Sequence, residues 1–193
     1  MTVAIIDCGG SNLRSVSMAI KRLDMDYIVT DDVSLINSSE FVILPGVGSA
    51  QNVMQTLKSK NLIEIIKSLK QPVLGICIGM HILFEFSEEG NSQCLGIIKG
   101  KITRFSNNKS LKIPQMGWNK VLFMDDGLKN LDDYYYFANS YYSQIYQCTK
   151  ATSNYGLPIA SVVQKDNFMG CQFHPEKSAN AGIKFLKYFF SKR

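Results

Sequence analysis

The chain has 193 residues, of which 46% are hydrophobic and 19% are charged, values typical of a globular protein with a sizeable core. No apolar run is long enough to cross a membrane, and the N-terminus lacks the basic segment and cleavage-like site of a signal peptide, so we expect a cytoplasmic protein with no membrane partner. The net charge is +5, but the lysines are scattered, which favours a solvated basic surface over a nucleic-acid interface.

The first half of the chain alternates apolar runs with segments of helical spacing. We predict strands over residues 3–7, 27–30, 41–44 and 72–76, and helices over residues 13–23, 50–57 and 62–69. This order predicts an α/β fold with a mostly parallel central sheet and helices on both faces. Sites in such sheets lie at the carboxyl ends of the strands, where Gly9, Gly46 and Cys77 would meet.

The second half of the chain is richer in short β-like runs separated by Gly, Asn, Asp and Pro. We predict these runs over residues 96–105, 120–123, 134–138, 143–148, 159–163 and 168–173, with a last helix over 179–190. They indicate antiparallel strands added to the parallel core. Because the sequence shows no linker and no repeat, we expect a single domain over residues 1–193.

A cysteine flanked by glycines ends the apolar run that begins at Pro72. Gly75, Cys77 and Gly79 form a G-x-C-x-G pattern, and apolar residues at helical spacing follow it. Apolar strand, tight turn and helix are the layout of a nucleophile elbow, with Cys in the place of Ser. The positive end of the helix would favour the thiolate. Alone, the pattern fits a buried structural cysteine equally well.

A histidine and a glutamate near the C-terminus supply what a cysteine nucleophile needs. His174 and Glu176 stand on either side of Pro175, which can turn both side chains the same way. A nucleophilic cysteine requires a base, and the base requires a carboxylate that orients it. His81 lies too close to Cys77 in sequence to swing round as that base, so we interpret it as a residue of the helix or of the pocket wall.

The five cysteines form no close-spaced metal-binding pattern. In a reducing compartment we expect all five to be free, and we expect neither a metal nor a cofactor. We interpret the four cysteines other than Cys77 as structural.

Several motifs together resemble those of one family. They are I-I-D at 5–7, L-P-G-V-G at 44–48, G-I-C-I-G-M at 75–80, M-G-W-N at 116–119 and Q-F-H-P-E-K-S at 172–178. The chain resembles the class I (triad) glutamine amidotransferases and, among them, the glutaminase subunits of imidazole glycerol phosphate synthases. The resemblance runs nearly end to end.

The resemblance implies a reaction and a set of site residues. Cys77 would attack the side-chain amide of glutamine to form a thioester, with His174 as base and acid and Glu176 as its orienting group. Further residues are implied by their matching positions: backbone N–H groups of Val47 and Ile78 for the oxyanion, Gly46, Gly48, His81, Ser140 and Tyr141 for the substrate pocket, and Asn12, Trp118 and Tyr136 for the partner interface. Ammonia would pass unprotonated into a barrel-type cyclase subunit, forming a heterodimer.

Four positions depart from the family pattern. The family usually has Gly, Gln, His and His where this chain has Ser11, His81, Gln115 and Asn139. The triad is unaltered, so the departures concern the acceptor of the ammonia. Two acceptors stay open: the cyclase subunit of histidine biosynthesis, or a paralogous synthase that amidates sugars in surface-polysaccharide biosynthesis. A redox sensor, an inactive scaffold or a cysteine peptidase would not account for all the motifs.

Overall fold

The computed structural model describes residues 2–9, 13–46, 48–106 and 111–192. Its strands are β1 Thr2–Ile6, β2 Asp26–Thr30, β3 Phe41–Leu44, β4 Val73–Ile76, β5 Phe84–Ser87, β6 Ser92–Gln93, β7 Ile98–Arg104, β8 Gln115–Phe123, β9 Asp133–Asn139, β10 Tyr141–Ser143, β11 Thr149–Asn154, β12 Pro158–Lys165 and β13 Phe168–Cys171. Its α-helices are α1 Leu13–Lys21, α2 Val33–Ser38, α3 Ala50–Ser59, α4 Ile63–Ser68, α5 Ile78–His81 and α6 Ala179–Phe190. Short 3-10 helices cover Asp126–Leu131 and Pro175–Lys177. No helix within these described ranges is both long and apolar enough to cross a membrane.

Five neighbouring strands form the parallel part of the sheet. Their order is β2-β1-β3-β4-β13, and each adjacent pair runs parallel. Every residue of β3, β4 and β13 is buried, because strands lie on both sides of them and other elements cover both faces. This burial explains why these strands appear in the sequence as continuous apolar runs rather than as alternating ones.

The rest of the sheet is mainly antiparallel. It continues from β13 through β12, β10, β7, β5 and β6, and β11 connects β12 to the β8–β9 ribbon. The pair β5–β7 is parallel. A mostly parallel core with antiparallel additions in the C-terminal half confirms the predicted fold class.

The helix predicted after Cys77 is much shorter than its apolar spacing suggested. α5 is a single turn, and the chain re-enters the sheet as β5 from Phe84. Phe84 is buried and Glu85 is exposed, and this strand alternation coincides with the helical pattern over a few residues. The prediction of an amphipathic helix after Cys77 was therefore wrong beyond the first turn.

Other local predictions were also incomplete. The run predicted over 143–148 is wrong after Ser143, where β10 ends and a turn leads to Thr149. Helix α2 was not predicted; Asp32 caps it by accepting hydrogen bonds from the backbone N–H groups of Ser34 and Leu35.

The carboxyl ends of three adjacent parallel strands lie at one edge of the sheet. Gly46 follows β3, Cys77 follows β4 and His174 follows β13. The backbone N–H of Cys77 donates to the carbonyl of Cys171 over 2.7 Å. This bond aligns the turn after β4 with the end of β13. The sheet topology thus brings together residues that lie far apart in sequence.

Candidate active site

Cys77 stands on a strained turn between β4 and α5. Its φ is +51° and its ψ is −105°, in a region that residues with a side chain rarely adopt. Its side chain is buried, with an exposed fraction of 4%. A strained strand-to-helix turn of this kind is the geometry of a nucleophile elbow.

The glycines beside Cys77 are required by space. A Cβ atom at Gly75 would collide with the carbonyl of Gly79, and one at Gly79 would collide with the carbonyl of Leu44. The positive φ falls on Cys77, and neither flanking glycine has one. The two glycines of the G-x-C-x-G pattern are therefore needed because backbone segments approach each other closely around the cysteine.

His174 and Glu176 are held together by the turn that follows β13. The Nδ1 atom of His174 lies 2.8 Å from Oε1 of Glu176, and their side chains are 6% and 1% exposed. The backbone N–H of His174 donates to the carbonyl of Tyr136, and Ser178 Oγ donates to the carbonyl of His174. These bonds tie the turn to β9 and fix the orientation of the imidazole.

The other face of His174 meets the sulfur of Cys77. Burial lowers the pKa of His174, but a hydrogen bond with Cys77 and the pairing with Glu176 outweigh burial and raise this pKa to about 10. The imidazole is therefore protonated at neutral pH. The contact places His174 where it can exchange a proton with the sulfur, as a nucleophilic cysteine requires.

Two further polar groups surround the sulfur. Gln172 Nε2 lies 3.8 Å from Cys77 Sγ, and the carbonyl oxygen of Ala138 lies 3.9 Å from it. Gln172 Oε1 in turn lies 2.8 Å from His81 Nε2. Sequence reasoning missed Gln172 as a site residue, although it directly precedes the F-H-P-E run and so had to lie near His174.

A cavity of about 180 Å³ opens beside Cys77. It is smaller than the roughly 300–1,000 Å³ of sites for drug-sized ligands and suits a ligand the size of an amino acid. All five residues predicted for the substrate pocket line it: Gly46, Gly48, His81, Ser140 and Tyr141. Ile78, which carries one of the two predicted oxyanion donors, lines it as well, whereas Val47 lies outside the described residues.

Two polar lining residues, Glu89 and Asn139, were not predicted as ligands. Glu89 is the only carboxylate among the described lining residues, and burial raises its pKa. Asn139 donates from Nδ2 to the carbonyl of Tyr141, and its buried Oδ1 has no hydrogen-bond partner among the described residues. Glu89 lies in the turn that follows β5, in a segment that the sequence pattern had placed in a helix.

The residues predicted for the partner interface lie on the β8–β9 ribbon. Trp118 and Tyr136 oppose each other across the two strands, with ring centroids 6.2 Å apart in an edge-on contact. Trp118 is 53% exposed, and Met116, Leu122, Met124 and Tyr134 add further exposed apolar side chains to the ribbon. Asn12 lies outside the described residues.

The four remaining cysteines differ from Cys77 in their surroundings. Burial, with a smaller contribution from nearby carboxylates, raises the pKa of Cys8 and of Cys94 to about 12. Burial likewise raises the pKa of Cys148 and of Cys171. All five cysteines are free, and no cluster of His, Cys, Asp and Glu within the described part of the chain could hold a metal ion.

The family model of the glutamine amidotransferases of class I matches residues 4–192 of the chain. The chain belongs to this family. The assignment agrees with the resemblance inferred from the motifs.

Among the relatives of this class-I amidotransferase are proteins named imidazole glycerol phosphate synthase subunit HisH. The protein of that name from Bacteroides fragilis is 42% identical over 193 residues, which cover 98% of each chain. Those from Buchnera aphidicola and Haemophilus influenzae are 44% and 43% identical, and the alignments cover at least 98% of both chains.

The fold of this amidotransferase is shared with solved structures of low sequence identity. A crystal structure of a glutamine amidotransferase aligns with a TM-score of 0.77 at 16% identity. The alignment covers 98% of this chain and 97% of the chain in that structure. The structure of PurLQS from Thermotoga maritima has a TM-score of 0.72 at 16% identity, with the same coverage. These similarities establish the fold.

Three of the four departures from the amidotransferase pattern gather around the cavity. His81 and Asn139 line it, and Gln115 is the cross-strand neighbour of Asn139 at the start of the β8–β9 ribbon. Gln115 is buried, and its Oε1 has no hydrogen-bond partner within the described ranges. Ser11 lies outside them.

Proposed function

We propose that this chain is the glutaminase subunit of an imidazole glycerol phosphate synthase, hydrolysing glutamine to glutamate and ammonia for use in histidine biosynthesis. The observation that carries the proposal is the contact of His174 with both Cys77 and Glu176 at the wall of an amino-acid-sized cavity. The identity of 42–44% to HisH subunits over nearly the whole chain supports the choice of pathway.

In the first half-reaction the sulfur of Cys77 attacks the side-chain amide carbon of glutamine. The carbonyl oxygen becomes an oxyanion, for which the backbone N–H groups of Ile78 and Val47 are the proposed donors; one such donor is worth about 2.7–4 kcal/mol. Protonated His174 then gives its proton to the leaving nitrogen. The C–N bond breaks, ammonia departs, and a glutamyl thioester remains on Cys77.

In the second half-reaction water hydrolyses the thioester. Neutral His174 takes a proton from the attacking water, and the C–S bond breaks to release glutamate. Glu176 keeps Nδ1 of His174 occupied throughout, so that Nε2 faces the reacting atoms. The partly buried carboxylate of Glu89 offers an acceptor for the α-ammonium of the substrate.

The exposed apolar face of the β8–β9 ribbon is the proposed docking surface for a barrel-type cyclase subunit. Met116, Trp118 and Tyr134 lie on it with exposed fractions of 67%, 53% and 55%. Neighbouring large apolar side chains in such numbers mark interaction surfaces more often than free ones. The ribbon begins at Gln115 and Asn139 beside the cavity, so the face starts next to the point where ammonia is released.

We expect the isolated chain to release ammonia from glutamine slowly and a partner to accelerate this release at least tenfold. The reason is that members of the amidotransferase class commonly need their synthase for full glutaminase activity. The measurement is glutamate formation by the chain alone and with a cyclase subunit of the same organism. Complete inactivity with every partner tested would contradict the proposal.

The same assay separates the two possible acceptors of ammonia. A cyclase subunit from the histidine pathway should stimulate the chain if the proposal is right. Stimulation only by a barrel-type synthase that amidates sugars would instead support the polysaccharide alternative. The departures from the family pattern at His81, Gln115 and Asn139 are the reason for testing that alternative.

Replacing Trp118 with alanine should weaken partner binding at least tenfold, because large exposed aromatic residues often dominate the energy of interfaces. Titration calorimetry with the cyclase subunit measures the effect. Tyr27 on edge strand β2 is 39% exposed and offers a matched control, since Tyr27→Ala should leave binding unchanged. If the Trp118 variant and the unmodified chain bind the cyclase subunit equally well, Trp118 and its ribbon do not form the interface.

A further inference from the structure

His81, Gln172 and Cys77 form a buried chain of hydrogen bonds. His81 Nε2 lies 2.8 Å from Gln172 Oε1, and Gln172 Nε2 lies 3.8 Å from Cys77 Sγ. Gln172 is 0% exposed and His81 is 1% exposed, so water cannot easily replace either bond. The glutaminase proposal makes no use of Gln172.

The polarity of this chain is fixed once the sulfur is negatively charged. A thiolate accepts hydrogen bonds and cannot donate, so Gln172 must turn its amide N–H to Cys77 and its carbonyl oxygen to His81. An amide oxygen can only accept, so His81 must carry its proton on Nε2. The reverse orientation of Gln172 would set its oxygen against the thiolate.

The imidazole of His81 suits this task because it is held neutral. Burial lowers its pKa to about 4, with a smaller opposing contribution from the hydrogen bond to Gln172. Its Nδ1 has no hydrogen-bond partner among the described residues, which is compatible with a proton on Nε2 and a lone pair on Nδ1. Among the described residues, the other titratable groups near the sulfur include His174 with Glu176, the buried thiol of Cys171, and the carboxylate of Glu89 in the same cavity.

We propose that His81 is a positioning residue that holds Gln172 with its amide N–H directed at Cys77, so that the pair stabilises the thiolate together with His174. The inference rests on the proposed role of Cys77 as nucleophile. It assigns His81 a second function besides lining the pocket, and it assigns Gln172 a function for the first time.

The test is the pH dependence of alkylation of Cys77 by iodoacetamide, followed by mass spectrometry of the peptide that contains it. Only the thiolate reacts at an appreciable rate, so the midpoint reports the ionisation of Cys77 without involving glutamine. We expect His81→Leu to raise the midpoint by about one pH unit, as for loss of a hydrogen bond to a charged group. His81→Gln retains an N–H donor, so its midpoint should lie close to that of the unmodified chain.

A double-variant cycle shows whether His81 acts through Gln172. Gln172→Met removes the N–H donor, and the combination with His81→Leu should shift the midpoint no further than Gln172→Met alone. An unchanged midpoint in His81→Leu overturns the inference, and so do additive shifts, which would mean that His81 acts on Cys77 by another route.

A measurement on the unmodified chain guards against variants that fail to fold. The chain has two histidines, so ¹⁵N NMR of the histidine-labelled protein resolves both. One ring should be neutral with its proton on Nε2 between pH 5 and 8, and a proton on Nδ1 of His81 would overturn the inference. These readouts stay valid if the chain fails to hydrolyse glutamine, in which case the proposed function falls and the positioning of Cys77 can still stand.

Discussion

Cys77→Ala should abolish glutamine hydrolysis, lowering kcat by about 10⁶-fold, the loss seen when the nucleophile of a catalytic triad is removed. Alanine keeps the Cβ atom, so the strained turn at φ +51° should be no worse than in the unmodified chain. The substitution removes one sulfur atom from a site that is 4% exposed, and we expect the protein to fold. Glutamate formation with the partner present is the measurement, and circular dichroism checks the fold.

Cys148→Ser is a suitable control for the loss of a thiol. Cys148 is half-buried and lies apart from the cavity beside Cys77, and burial raises its pKa. We expect its serine variant to keep full glutaminase activity. Residual activity of the Cys77 variant above one thousandth of the unmodified rate would argue against a thioester, while a similar loss in the Cys148 variant would indicate a structural effect.

The parallel core and its position relative to Cys77 could be predicted because their signals are local and strong. Strands β3 and β4 are buried on both faces, so every residue in them is apolar, and the following turns contain Gly46 and Cys77. Parallel strands carry their following turns to one edge of the sheet. The fold class therefore followed from short apolar runs and the helices between them.

The segment after Cys77 could not be predicted in the same way. Residues 78–84 are all buried, so the spacing of the apolar residues among them carried no reliable period. The strand β5 is defined by its pairing with β7, which lies further along the chain. With β5 misassigned, Glu89 could not be placed at the cavity, although its carboxylate accepts a hydrogen bond from the backbone N–H of Ala50, two residues after the P-G-V-G run.

The bonds around Cys77 were also beyond sequence reasoning. Nothing in a list of residues indicates that Gln172 turns its side chain toward Cys77 while Phe173 packs into the core. That arrangement follows from the alternation of side chains at the end of β13, whose register against β4 places Cys171 opposite Ile76. His81 was assigned to the pocket wall, and its bond to Gln172 became visible only with the strands in place.

Glu176→Gln should lower kcat by about 10³–10⁴-fold with little change in KM for glutamine. In Ser triads the matching carboxylate-to-amide change costs about 10⁴-fold, because an amide N–H facing Nδ1 leaves the imidazole in the wrong tautomer. Here the carboxylate lies 2.8 Å from Nδ1 and is 1% exposed, so an amide of the same shape fits without rearrangement. The fold and the binding of glutamine should therefore persist while proton transfer fails.

The pH profile distinguishes this loss from a structural one. Glu176 is among the groups that raise the pKa of His174 to about 10 against the effect of burial, so its replacement should lower that pKa. A general acid is lost as pH rises through its pKa, and the alkaline limb of kcat/KM should therefore move to lower pH in the variant. Glu64→Gln, at an exposed ion pair with Lys67 on α4, is the matched control and should change neither kcat nor the profile. A Glu176 variant within tenfold of the unmodified kcat, with an unmoved alkaline limb, would mean that the carboxylate does not orient His174, and the triad would reduce to a Cys77–His174 pair.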